Sequence, residues 1–235
     1  MIIKPIKTRI FKENDNLIDF IVAHLKKIPE CSVLVITSKI VALAEGRVVE
    51  DDGSYTKEEL IKAESDLAIP TKYVWLTIKD GMVMASAGID ESNADGKYIL
   101  LPKDSFKTAK ILHKELKARY KVKNLGILIT DSRTMPLRAG VTGVGVGYAG
   151  FCAIKDYRGK RDIYGRKFKF SRVDVVDSLA AAAVFTMGEG SECRPLALIE
   201  KAEIEYCERI SPKELLISIE DDMYGPLFSK MTKRR

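Results

Sequence analysis

Residues 141–150 read "VTGVGVGYAG", and the glycines limit what this segment can become. Gly143, Gly145 and Gly147 alternate with Val144, Val146 and Tyr148. A period of two is that of a strand, and here one face is bare enough for another backbone or a ligand to come close. Gly145, Gly147 and Gly150 also spell GxGxxG. A dinucleotide fingerprint needs a strand before its first glycine and a helix after its third, so that pyrophosphate rests on the helix N-terminus. Gly150 is instead followed by "FCAIKDYRGKRDIYG", which has strand and turn character and no helical face. The context argues for structural glycine, and no Walker GxxxxGK[ST] run occurs elsewhere.

Three other apolar runs read as buried strands: "SVLVIT" (32–37), "LGILIT" (125–130) and "PLALIE" (195–200). Helical spacing predicts a helix over 17–27, with Asn14, Asp15 or Asn16 available as its cap. A second follows from Ser38 to a stop at Gly46, and Thr56 opens a third that runs to about Ala68. Residues 73–88 read as a hairpin turning at Asp80-Gly81. A helix from Asp104 or Ser105 to Tyr120, an alanine-rich helix ending at Gly188 and a short last helix in "SPKELLISIEDDM" complete the expectation. Strands and helices mix without a regular βαβ period, which predicts an α+β fold. With no repeat and no linker, residues 1–235 form a single domain of one or two packed lobes.

The N-terminus lacks a secretory h-region and nowhere do eighteen apolar residues run together, so a soluble, cytoplasmic protein with no membrane partner is expected. Cys31, Cys152, Cys193 and Cys207 are scattered without a CxxC, and two of them sit among apolar neighbours, which reads as buried free thiols. The net charge of +6 admits nucleic acid, but no recognition motif accompanies it. A basic field serves phosphorylated or polycarboxylate ligands equally well. Only His24 and His113 are present, both on helical faces, so the chemistry does not rest on histidine.

Two loops next to apolar strands carry clustered oxygen ligands. One is "VMASAGIDESNADG", with Asp90, Glu91, Asn93 and Asp95; the other is "LGILITDSRT", where Asp131 and Ser132 end a strand. Carboxylate, hydroxyl and amide oxygens suit Mg²⁺ or Mn²⁺, although the same residues are also ordinary turn formers.

Five segments carry a resemblance: "VITSKIVALAEGRVV" (35–49), "ASAGIDESN" (85–93), "ITDSRTMPLRAGVTG" (129–143), "DYRGKRDIYGRKF" (156–168) and "DSLAAAAVFTMGEG" (177–190). In order and wording they resemble the coenzyme F-420:L-glutamate ligase family. The resemblance implies a two-lobed α+β fold that is neither Rossmann nor P-loop. It also implies a GTP- and divalent-metal-dependent γ-glutamyl ligase, usually a homodimer, acting on L-glutamate and an acceptor carboxylate. By the same resemblance Asp90, Asp131, Ser132 and Glu189 match metal positions. Ser38, Lys39 and Asn93 match nucleotide contacts, and Thr8, Arg9, Ile10 and Phe11 align with an N-terminal nucleotide-binding segment.

Asp90 and Asp131 are the catalytic candidates together with Arg138, which, like Arg133, has the planar fork to clamp a substrate carboxylate. Two departures stand out: Leu43 where relatives commonly have a second lysine, and "RTMPLRAGVTG", whose Leu137 and Gly143 replace a tryptophan and an aspartate. The wording "PLRAGVTG" resembles a bacterial branch held to act on folate, so both the F-420 precursor and folate stand as acceptors. The basic run from Asp156 to Phe170 reads either as cover for an acidic acceptor or as a solvated hairpin. Asp174 and Asp177 read as helix N-terminal acids. A non-catalytic nucleotide sensor and a basic nucleic-acid-binding protein are the competing readings.

Overall fold

Glycine spacing and apolar runs converge on one sheet. In the computed structural model, which describes residues 1–232, five strands lie in the order β1, β12, β2, β8, β9. These are β1 (Ile2–Ile6), β2 (Ser32–Thr37), β8 (Leu125–Thr134), β9 (Val141–Ala149) and β12 (Leu196–Glu200). Strands β2 and β8 run parallel and every other pairing is antiparallel. Where they pair, at 32–37 and 125–130, the two parallel strands are largely apolar because both faces of the sheet are covered. Helices α1 (Leu17–His24), α2 (Ser38–Ala44) and α4 (Ser105–Tyr120) cover one face, burying Leu34, Ile36, Ile127 and Ile129. The alanine-rich α5 (Val175–Met187) covers the other, over Val33, Val35, Leu128 and Tyr148.

The bare face of β9 is explained by its neighbours. A methyl on Gly145 would lie 2.2 Å from Val176 Cγ1, and one on Gly143 2.4 Å from the Ala180 carbonyl, so α5 rests directly on the strand. A methyl on Gly147 would meet the Ser105 backbone at 2.6 Å, where α4 begins. The register shifts between Ile129 and Thr130 because Val146 is an extra residue in β9, a bulge that interrupts the alternation. The glycines therefore serve helix packing.

Between β2 and β8 the chain leaves the sheet and builds a second, smaller layer. It contains β3 (Val48–Glu50) paired with β7 (Lys97–Ile99), α3 (Lys57–Ala63), and a three-stranded meander of β4 (Leu67–Pro70), β5 (Trp75–Lys79) and β6 (Met82–Ala85). Leu60, Ile61, Ala87, Ile89, Tyr98 and Leu100 form its core. The Asp80-Gly81 turn appears as expected, with both residues at positive φ. Strands β10 (Ile154–Asp156) and β11 (Arg172–Asp174) form the base of an exposed arm that leaves Ile163, Tyr164 and Phe170 in solvent.

Several boundaries differ from expectation. Helix α1 ends at His24, short of residue 27, because Leu25 and Ile28 turn into the core and the Leu25 carbonyl accepts the Tyr120 hydroxyl. Thr56 caps α3 with a reciprocal Glu59 contact, but the helix stops at Ala63, since Leu67–Pro70 pair with β5. β8 does not end at Thr130: β9 extends it, so Asp131 and Ser132 lie within a paired strand. Residues 211–223 form turns, and the last helix is α6 (Gly225–Thr232). No disulfide joins the four cysteines; Cys31 and Cys193 sit exposed at positive φ and Cys152 and Cys207 are half-buried, contrary to the expectation of buried thiols. The terminal run "KMTKRR" lies partly outside the described residues.

Candidate active site

Parallel strands that end side by side leave a crevice at their carboxyl ends. Thr37 of β2 pairs with Thr130 of β8, and the chain continues from these into Ser38-Lys39 of α2 and Asp131-Ser132 of β8. Around this edge lies a cavity of about 690 Å³. Its walls also come from three more segments, Thr8–Phe11 after β1, 88–95 of the smaller layer and 188–195 after α5, together with Leu43 of α2. Thr8, Arg9, Ile10, Phe11, Ser38, Lys39, Asp90, Asn93, Asp131, Ser132 and Glu189 all line it, so eleven of the twelve sequence-derived candidates converge on one site. They come from segments up to 180 residues apart, as in the Thr8 N–H bond to the Cys193 carbonyl at 2.9 Å.

Arg138 is the twelfth, and the structure does not bring it to the others. It sits exposed at the β8–β9 turn, where its N–H donates to the Met135 carbonyl, and it lines no cavity described here. Leu137 beside it, at positive φ and fully exposed, shows that this turn projects outward. The arm from 157 to 171 lines neither cavity. Phe11 reaches the site but is mainly a core residue, edge-on to Phe20 at 4.8 Å. Arg9 pairs with Asp15 and stacks over Phe20. Asp174 caps α5 as expected; Asp177 also accepts from the Gly145 N–H at 2.9 Å and pairs with Arg133.

Within the cavity the polar groups form linked pairs. Lys39 Nζ lies 2.8 Å from Asp90 Oδ2 and donates to the Ser92 carbonyl at 2.7 Å. The Ser92 N–H in turn donates to Asp90 Oδ1. The Ser38 hydroxyl donates to Asp131 Oδ1 at 3.2 Å, and the Ser132 hydroxyl to Glu189 Oε1 at 2.7 Å. Asn93 Nδ2 donates to the Gly190 carbonyl at 3.3 Å, tying the two acidic loops together.

Electrostatics separate the two aspartates. Burial opposes ionisation of Asp90, but Lys39 and Ser92 outweigh it and hold its carboxyl below the ordinary value. Asp131 is pushed up to about 6, by burial first; hydrogen bonds from the Ser132 N–H and the Ser38 hydroxyl act the other way, and the charges of Asp90 and Glu189 add to the rise. Three acidic side chains thus bear on one point, and Lys39 compensates one of them, Asp90.

The remaining negative potential, at Asp131 and Glu189 with hydroxyl oxygens beside it, fits a hard divalent ion. Among the described residues no three His, Cys, Asp or Glu side chains are grouped so that they could hold a metal ion by themselves. Mg²⁺ typically takes only one or two carboxylates and completes its shell with water and substrate phosphate.

Sequence reasoning missed Thr130 and Ser92. Thr130 lines the cavity, is 1% exposed, and its hydroxyl has no partner. A lone polar residue ending an otherwise apolar strand, next to Asp131, was its only sequence signal.

Comparison with known proteins then decides the lineage. The family model for F420-0:gamma-glutamyl ligase matches residues 5–201. The chain belongs to this family. It is 32% identical to the coenzyme F420:L-glutamate ligase of Methanopyrus kandleri, covering 87% of this chain and 88% of that protein. It is 30% identical to the one from Methanococcus maripaludis strain C7 (82% and 84%) and 29% to the one from Methanocaldococcus jannaschii (87% and 91%). The matched span contains every segment of the cavity, and Leu43 puts an apolar side chain on its wall. No helix among the described residues is long and apolar enough to cross a membrane.

Proposed function

We propose that this chain is a GTP- and divalent-metal-dependent γ-glutamyl ligase that joins an acceptor carboxylate, on the F-420 precursor or on folate, to the amine of L-glutamate. The observation that carries the reading is the convergence of Asp90, Asp131 and Glu189, with Lys39, on the crevice at the ends of β2 and β8. Membership of the family supplies the bond that is formed.

A carboxylate is a poor electrophile and must first be activated. An acceptor carboxylate oxygen attacks the γ-phosphorus of GTP, GDP leaves, and an acyl phosphate results. The amine of glutamate then attacks the acyl carbon, the amide bond forms, phosphate departs, and the amine proton passes to phosphate or solvent. In such transfers a protein chiefly positions groups and neutralises charge.

Asp90, Asp131, Ser132 and Glu189 would hold one or two Mg²⁺ or Mn²⁺ ions, which supply charge neutralisation along the phosphates. Lys39, fixed by Asp90 and the Ser92 carbonyl, contributes a positive charge at the same wall. Ser38 and Ser132 orient the Asp131 and Glu189 carboxylates. Asn93 braces the loop carrying Glu189. Thr8–Phe11 close the side of the nucleotide subsite. The homodimer implied by the family resemblance and a cytoplasmic location belong to the same proposal.

A second reading, a nucleotide-binding protein without turnover, is favoured by Leu43, which removes a commonly present lysine from the cavity wall. Incubation with GTP, Mn²⁺, glutamate and each acceptor separates them. Phosphate release with a glutamyl-sized mass gain supports the ligase. Stabilisation by GTP and Mn²⁺ without phosphate release supports the sensor.

A further inference from the structure

A second cavity, of about 1020 Å³, lies on the other side of Leu101, which lines both. Along β8, Ser132 faces the first cavity and Arg133 the second. The walls of the second are largely apolar: Met82 and Val83 of the β5–β6 hairpin, Phe106 at the start of α4, Met135 after β8, and Leu216 and Ile217 of the C-terminal segment. Val83, Met135, Leu216 and Ile217 remain partly exposed, an apolar concentration of the kind that marks a binding site. Charged side chains also line it, acids (Asp174, Asp177 and Asp222 among them) outnumbering bases, and Arg133 pairs through Nη2 with Asp177 at 2.9 Å while its buried Nε–H has no partner. A buried guanidinium donor without an acceptor is an open site for an accepting oxygen.

The origin of these walls is informative. The family match ends at residue 201, so Leu216 and Ile217 lie outside it. Met135 belongs to the 133–143 loop, the segment whose wording departs from the family. A segment beyond the family match and a segment whose wording departs from the family's therefore meet at one cavity. The C-terminal part is firmly seated there: the Tyr148 hydroxyl bonds Glu214 at 3.0 Å and the Ser211 carbonyl at 3.1 Å, and Leu216 packs against Gly81.

Resting on the ligase reading, we propose that this second cavity holds the body of the acceptor, a molecule with a large apolar or aromatic part and a hydrogen-bond-accepting oxygen for the Arg133 Nε–H. The acceptor's reactive carboxylate then passes Leu101 to the phosphates, and residues 133–136 and 212–217 set which acceptor is admitted. The volume supports this class, being at the top of the range for drug-sized ligands and far beyond what an amino acid fills.

The test uses the full chain and two substitutions on opposite walls, Ile217→Asp and Val83→Asp, both at partly exposed positions that tolerate a charge in the fold. Steady-state ligation is measured with the F-420 precursor and with folate, and direct binding of both compounds is measured without nucleotide. Thermal melts check folding, and Ile217→Ser serves as a milder variant. The expected result is a rise of roughly tenfold or more in KM for the accepted acceptor, with KM for GTP within about twofold of the parent chain. Equal acceptor KM values in all chains overturn the assignment and leave the ligase standing. If the parent chain ligates nothing yet binds an acceptor and Ile217→Asp weakens it, the cavity stands and the ligase reading fails. If the parent chain binds neither compound, the assignment fails.

Discussion

Replacing Asp131 by Asn is expected to stabilise the metal-free protein while abolishing turnover. The carboxyl of Asp131 rises from 3.8 to about 6, first because it is buried and further because Asp90 and Glu189 bear on it. Its folded value exceeds its unfolded one, so the folded state has no deficit below pH 4. Stability is then lost as pH climbs through about 6, above which the loss is constant. A shift of about two units corresponds to about 3 kcal/mol, an upper value because Asp131 retains some solvent contact.

Asparagine keeps the shape and still accepts from the Ser38 hydroxyl and the Ser132 N–H, but loses the charge-assisted part of those bonds. A net gain of about 1–2 kcal/mol remains, or about 2–8 °C in Tm for a chain of this size. The assay is thermal unfolding of both proteins with chelator present at pH 4 and pH 8, followed by GTP turnover with Mn²⁺. The difference in Tm should be near zero at pH 4 and should open by pH 8. A variant less stable than the parent at pH 8, or one that retains turnover, refutes the electrostatic account of Asp131.

Gly145→Ala places a methyl 2.2 Å from Val176 and should cost about 1–3 kcal/mol in urea unfolding, with KM for GTP unchanged; a selective loss of nucleotide binding would revive a ligand role for the glycine run. Lys39→Met should raise KM for GTP roughly tenfold or more, because it removes a fixed positive charge, whereas an unchanged KM would make the lysine a brace for Asp90 alone. Thr130→Val removes a buried hydroxyl without a partner, so Tm should hold or rise; a fall in kcat of roughly tenfold would show that the hydroxyl serves a bound substrate, and no change would make it a packing residue.

Local chemistry was legible wherever it acts alone. The capping box at Thr56, the Asp80-Gly81 turn and the apolar runs of β2 and β8 need no distant partner to be read. What escaped depends on partners far along the chain. β1 was not expected at all: it carries Pro5, tolerable on an edge strand, and pairs with β12 almost 200 residues away. β4 has helix-compatible residues and becomes a strand only beside β5. Residues 211–223 have helical spacing, but Leu215 packs on the α5 side of the core, Leu216 lies against Gly81, and the Ser211 carbonyl and Glu214 accept from the Tyr148 hydroxyl, which holds the segment in turns.

The same division applies to the site. Asp90 and Asp131 were found as acidic residues next to apolar strands, even though Asp131 proves to lie inside an extended strand. Arg138 was chosen for its chemistry, and only the outward course of the β8–β9 turn excludes it from the crevice. Arg133, one residue beyond Ser132, takes the opposite side of the strand and faces the other cavity.

The most direct measurement is the mass of the acceptor after incubation with the protein, GTP, Mn²⁺ and L-glutamate, with the F-420 precursor and folate offered separately. The account predicts that one of them gains a single glutamyl unit or more with stoichiometric GDP and phosphate, and that Asp131→Asn gives none. GTP-stabilised protein that leaves both acceptors at their starting mass would contradict it.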